Sequence, residues 1–81
     1  MQIFINIDQS SKYILKIFDL EGRLVKTIAE TYPGGFAIFE WRGKNERNAK
    51  VQLGIYLLYS ETIDKNGKST RQIKPLVLDT K

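Results

Sequence analysis

The chain has 81 residues, 13 Lys and Arg against 9 Asp and Glu, and neither cysteine nor histidine. That length holds one domain with one core and excludes doubly wound and barrel enzyme scaffolds, which need roughly 150–250 residues. The composition also excludes a disulfide, a thiolate zinc site, an Fe–S cluster, a thiol nucleophile and the commonest general base.

An enzyme of this composition would work with carboxylates, Lys, Tyr or Ser alone. The chain is therefore read as non-enzymatic, with no catalytic residue, cofactor or metal ligand assigned. A hydrophobic fraction of 42% with 11% aromatics suffices to fold unaided. No apolar run approaches the ~20 residues of a membrane span, and no basic segment followed by an apolar stretch opens the chain. Met1 leads straight into an apolar alternation, so it is expected to be an added initiator on an excised module.

Period-2 alternation dominates from the start. Ile3, Ile5 and Ile7 share one face of a first strand, and residues 8–11 form a turn. Residues 12–19 put Tyr13, Leu15 and Ile17 on one side and Ile14, Lys16 and Phe18 on the other. Leu20-Glu21-Gly22-Arg23 is a tight hairpin, with Gly22 supplying a positive φ. The return strand over 23–30 (Leu24, Val25, Ile28) carries more charge, as an edge would.

Thr31-Tyr32-Pro33-Gly34-Gly35 is the strongest loop signal. Residues 36–42 then alternate with Ala37, Phe39 and Trp41 in phase, and 43–50 form a polar loop. The longest β-prone run lies in 51–64, around Ile55-Tyr56-Leu57-Leu58-Tyr59. Asn66-Gly67, the strongest short hairpin dipeptide, joins it to a last strand over 69–78. Pro75 places that strand at an edge. Helix fits poorly anywhere, because the helix-prone stretch 24–30 is short and ends before Pro-Gly-Gly.

Six to seven short strands with turns roughly every 8–12 residues predict an all-β, antiparallel sandwich of Ig or fibronectin type III shape, as a single domain over 1–81. Trp41 is the residue to span the ~10 Å gap between its sheets. Gly54-x-Tyr56 resembles a tyrosine corner, whose phenol bonds back to the preceding loop. The expected core is Tyr13, Leu15, Ile17, Val25, Phe39, Trp41, Tyr56 and Leu58.

The carboxylates fall at strand ends and turns, where solvation or bonding to nearby backbone explains them better than paired-acid catalysis. Asp19-x-x-Gly22 is a turn signature and lacks the spacing of a calcium loop. The +4 charge is dispersed, its densest window being Arg42, Lys44, Arg47 and Lys50, and reads as a solvated basic surface with no nucleic-acid site. Phe18, Ile38, Ile55 and Tyr59 sit out of phase with the core and either line the edge between the sheets, the favoured, structural reading, or form a candidate partner patch that docks a preceding domain.

Three segments in order carry a family likeness. They are Leu15-Lys16-Ile17-Phe18-Asp19-Leu20-Glu21-Gly22-Arg23-Leu24-Val25, then Gly34-Gly35 with Phe39-Glu40-Trp41-Arg42-Gly43-Lys44-Asn45, then Gly54-Ile55-Tyr56-Leu57-Leu58-Tyr59. Together they resemble the Ig-like domain of the flagellar hook-capping protein. They also resemble the C-terminal modules of secreted bacterial proteins, including type IX secretion sorting domains, over roughly residues 3–78 of the chain.

The resemblance implies a non-catalytic C-terminal module of an exported bacterial protein, located outside the cell or on its surface and serving export, anchoring or spacing. The alternatives are a structural scaffold domain of the hook-capping kind and a glycan-binding accessory domain. Its implied structural residues are Asp19, Gly22, Trp41, Gly43, Gly54 and Tyr56. Its implied partners are an adjacent domain of the parent protein and secretion machinery, without nucleic acid or membrane insertion. Isolated, the module is expected to be a monomer.

Overall fold

The computed structural model describes residues 2–7, 12–31 and 35–79. The turn expected at 8–11, the Tyr32-Pro33-Gly34 break, Met1 and the final two residues lie outside the described residues. So do the side chains of Ile3, Ile5, Ile7 and Ala37. Among the described residues there are six strands: β1 Gln2–Ile7, β2 Lys12–Phe18, β3 Leu24–Thr31, β4 Gly35–Glu40, β5 Gly54–Ile63 and β6 Ser69–Leu78. No helix occurs among the described residues. The protein is all-β, built on an open antiparallel sheet in the order β3-β2-β5-β6, with β1 and β4 paired separately as an antiparallel ribbon.

The alternation in β2 decides which way the larger sheet faces. Tyr13, Leu15 and Ile17 are buried, whereas Ile14, Lys16 and Phe18 point to the opposite, outer face. Each buried aliphatic of this set contributes about 1.5–3 kcal/mol by leaving water. Trp41 and Tyr56 complete the buried cluster, and Val25, Ile28, Ala29, Phe39, Val51, Leu58, Leu76 and Leu78 pack around it. Phe39 stacks on Tyr13 with ring centroids 6.0 Å apart, which brings β4 against the inner face of the sheet.

β3 lacks a clean alternation because it is bulged twice. The register runs from Leu15↔Ala29 to Lys16↔Thr27, and from Ile17↔Lys26 to Phe18↔Leu24, skipping Ile28 and Val25. An extra residue at each bulge lets Ile28 and Ala29, neighbours in sequence, both reach the core. β3 and β6 are the edges of the sheet. The β3 edge is covered by the 43–50 loop, where the Glu46 N–H donates to the Val25 carbonyl at 3.1 Å and the Glu46 carboxylate accepts from the Thr27 N–H. The β6 edge carries Pro75, opposite Leu57, where a missing N–H is tolerated.

One sequence expectation is corrected. Trp41 lies just beyond β4, whose pairing with β1 ends at Glu40, and not inside the strand. The indole is held instead by its Nε1–H, which donates to the Lys44 carbonyl at 2.9 Å. The hairpin expected at Asn66-Gly67 joins β5 to β6, with a turn that is not of the I′ type, which needs two positive φ angles. Only Gly67 is positive there, at φ 84°. The turn is organised by Asp64, whose Oδ1 accepts from the Asn66 and Lys68 N–H groups at 2.9 Å each.

The same turn occurs three times among the described residues. Asp19 Oδ1 accepts from the Glu21 and Arg23 N–H groups, and Asn45 Oδ1 from the Arg47 and Ala49 N–H groups. In each case the fourth residue adopts a left-handed conformation and its N–H returns to the carbonyl of the first: Gly22 at φ 86°, Asn48 at 63° and Gly67 at 84°. The polar loop therefore contains a wound hairpin, with Lys44 and Lys50 bridged across its base. Asn replaces both Asp and Gly in this copy. It is one of few residues that tolerate the left-handed region, and this substitution conceals the repeat in the sequence.

Candidate functional site

The residues implied by the family likeness gather in two neighbouring places. The first is the corner where the polar loop enters β5. Trp41 and Tyr56 meet edge to face, with centroids 5.3 Å apart and planes at 75°. The Tyr56 hydroxyl donates to the Gln52 carbonyl at 2.5 Å, tying the strand to the loop that precedes it. Gly43 is buried under Leu78. A Cβ there would lie 3.1 Å from Leu78 Cδ2, and the backbone φ of 71° disfavours any other residue. The Val51 N–H donates to the Gly43 carbonyl at 3.0 Å, closing the loop. Gly54 opens β5 at φ 146°.

The second place is the β2–β3 turn. Asp19 accepts two backbone N–H bonds on one oxygen and the Arg23 Nε–H at 3.0 Å on the other. Arg23 also pairs with Glu21. The backbone bond from Arg23, reinforced by its guanidinium, holds the Asp19 carboxyl below the usual carboxylate range. Both oxygens are committed to this turn, which leaves a poor calcium ligand. Among the described residues no cluster of three metal-binding side chains is present.

Between the two places runs an open cleft of about 480 Å³, with Asp19, Glu21 and Arg23 on one wall and Gln52, Leu53 and Ile55 on the other. Its carboxylates are paired with Arg23. Chemically, the cleft offers a polar lip beside an apolar wall. A smaller cleft of about 260 Å³ brings Lys26 to Arg42 and Lys44 beside Trp41. Arg42 is paired there with Glu40 at 3.1 Å.

The four residues of the candidate partner patch do not form one surface. Phe18, Ile55 and Tyr59 lie on the outer face of the larger sheet, and Phe18 and Tyr59 meet edge to face at 5.9 Å. Ile38 is on β4, in the separate ribbon, next to the core residue Phe39 and exposed on the opposite side. The reason is topological: residues sharing a phase share a surface only when their strands share a sheet.

The structure supplies other members of the outer face, Leu57, Ile73, Pro75 and Val77, through the β5–β6 register. The alternation Ile73-x-Pro75-x-Val77 was the available sequence signal. Gln52, Lys44 and Glu46 contribute through backbone groups or a loop carboxylate, and their roles carry no residue-type signature. The aromatics Tyr13, Trp41 and Tyr56 are inside the protein. Tyr13 is 1% exposed, its hydroxyl has no hydrogen-bond partner among the described residues, and burial pushes its pKa up to about 12.

No family model matches the chain, and no match is found among curated proteins or among solved structures.

Proposed function

We propose that the chain is an Ig-like module of a secreted or cell-surface bacterial protein, folded as a β-sandwich in which the β1–β4 ribbon faces the larger sheet. It serves export, anchoring or spacing beside an adjacent domain, without chemistry of its own. The observation that carries this reading is the joined corner of Trp41 and Tyr56. In it a buried aromatic pair fixes the polar loop against β5 through the Lys44 and Gln52 carbonyls. In sandwiches of this class, a core Trp and a Tyr bonded to upstream backbone play this part. The Asp19 turn supports the same reading, since its charged groups are spent on holding a hairpin.

The test is a fusion. Appended to the C-terminus of an exported reporter in a type IX secretion host, the module should bring the reporter to the cell surface. Retention of a folded reporter in the periplasm would remove the sorting role. In that event a purely spacing role predicts that deleting the module from its parent leaves export intact.

A further inference from the structure

An antiparallel sheet with one face on a core ordinarily turns polar residues outward. The larger sheet here does so only at one end, where Lys16, Glu61 and Arg71 lie on the outer face. Its register lines up Leu24, Phe18, Leu57 and Pro75 as one cross-strand row spanning all four strands. On one side of that row stand Ile55 and Val77, and on the other Tyr59 and Ile73, each a directly opposed pair. Ile73 is 63% exposed, Val77 58%, Ile55 52% and Leu24 48%. Phe18, Leu57, Tyr59 and Ile73 surround a shallow hollow of about 240 Å³.

We propose that this outer face is where a second copy of the chain docks, sheet against sheet, about a two-fold axis lying across the strands over the Leu57–Pro75 row. The argument is self-complementarity. Such an axis exchanges the two ends of each strand while keeping β5 on β5 and β6 on β6. It therefore sets Leu57 on Leu57 and Pro75 on Pro75, with Ile55 facing Tyr59 and Val77 facing Ile73. Every one of these facing pairs is apolar. The same patch is then used by both partners, which a closed two-fold interface requires.

Charge and area agree with this occupant. The next row along β5 and β6 is Glu61 opposite Arg71. Glu61 already accepts from the Tyr59 hydroxyl at 2.6 Å and lies 3.7 Å from Arg71 Nε. Docking therefore puts this ion pair at the rim, with Lys16, opposite Tyr59 on β2, as the one further charge flanking the apolar rows. Leu24, Ile55, Ile73 and Val77 are about half exposed, and Phe18, Leu57 and Tyr59 less so, which makes an apolar patch of roughly a few hundred Å² per copy. A standard interface takes ~800 Å² per partner, a little over half of it apolar. The face supplies the apolar centre of a small interface, and so of a weak dimer.

The proposal is independent of the export reading. Sedimentation equilibrium of the whole 81-residue chain from ~10 μM to ~1 mM should show the mass rising from 9.4 kDa towards twice that value. Ile55→Glu and Ile73→Glu, both at exposed positions, should each weaken dimerisation at least tenfold while leaving the melting curve of the dilute monomer unchanged. Ile38→Glu, on the other sheet, should dimerise like the parent. A chain that stays at 9.4 kDa up to ~1 mM overturns the proposal. So does a dimer that Ile38→Glu disrupts and the outer-face variants do not.

Discussion

Tyr13 and Trp41 show how differently two buried rings can meet the requirement that polar atoms be paired. The Trp41 indole has a carbonyl partner and fills the centre of the core. Trp41→Ala should cost about 3–5 kcal/mol, a large share of the ~5–10 kcal/mol expected of so small a domain, and should be visible as a lowered urea midpoint. The Tyr13 hydroxyl is buried without a partner among the described residues. Tyr13→Phe should therefore melt no lower than the parent, since an unsatisfied buried hydroxyl costs ~1–3 kcal/mol. The hydroxyl also makes stability pH-dependent. Its folded pKa, near 12, lies above its ordinary value of 10.0. The unfolded chain thus loses this proton first, and stability that is complete below pH 10 declines as pH rises towards 12. Tyr13→Phe should remove that alkaline component, measured as the change in melting temperature between pH 9 and about 11.5.

At the scale of elements, one turn design is used three times among the described residues, with different residues each time. Asn45 performs with an amide what Asp19 and Asp64 perform with carboxylates. Asp19→Asn should consequently keep the β2–β3 hairpin and lose only the pairing to Arg23. The depressed Asp19 pKa means its contribution is present above the unfolded carboxylate value and disappears as pH falls through the folded one. The variant should melt close to the parent at neutral pH and show a shallower loss of stability in acid. Asn48, at φ 63°, is the strained copy. Asn48→Gly should be neutral or stabilising, and Asn48→Ala should cost about 1 kcal/mol, both read by thermal melts. The strands were legible from alternation alone where alternation was strict, as in β2. β3 was readable only as a strand with no clear facing, because its two bulges carry no residue signature. The 43–50 hairpin was hidden by Asn standing in place of Gly.

For the whole molecule, the sheet leaves two surfaces to be managed, its edges and its outer face. The β3 edge is occupied by Glu46. The β6 edge is guarded by Pro75, with Lys74 and Arg71 close by. Pro75→Val should leave the fold intact and raise the tendency to aggregate through edge pairing, followed by light scattering on prolonged incubation at high concentration. That readout is separate from the reversible association expected of the outer face. Of the patch suggested by sequence, Phe18, Ile55 and Tyr59 belong to this face, and Ile38 is excluded by its place in the ribbon.

By itself, the sequence determined the all-β class, the inward residues of β2 and β5, and the Trp41 and Tyr56 anchors. Each follows from local periodicity or from a side chain too large and too particular to sit elsewhere. Only the tertiary structure decided which strands share a sheet. With that came the bulges of β3, the carbonyls that hold the two anchors, and the joining of Ile73, Pro75 and Val77 to the residues of β5. These depend on cross-strand register, which is set between segments far apart in the chain.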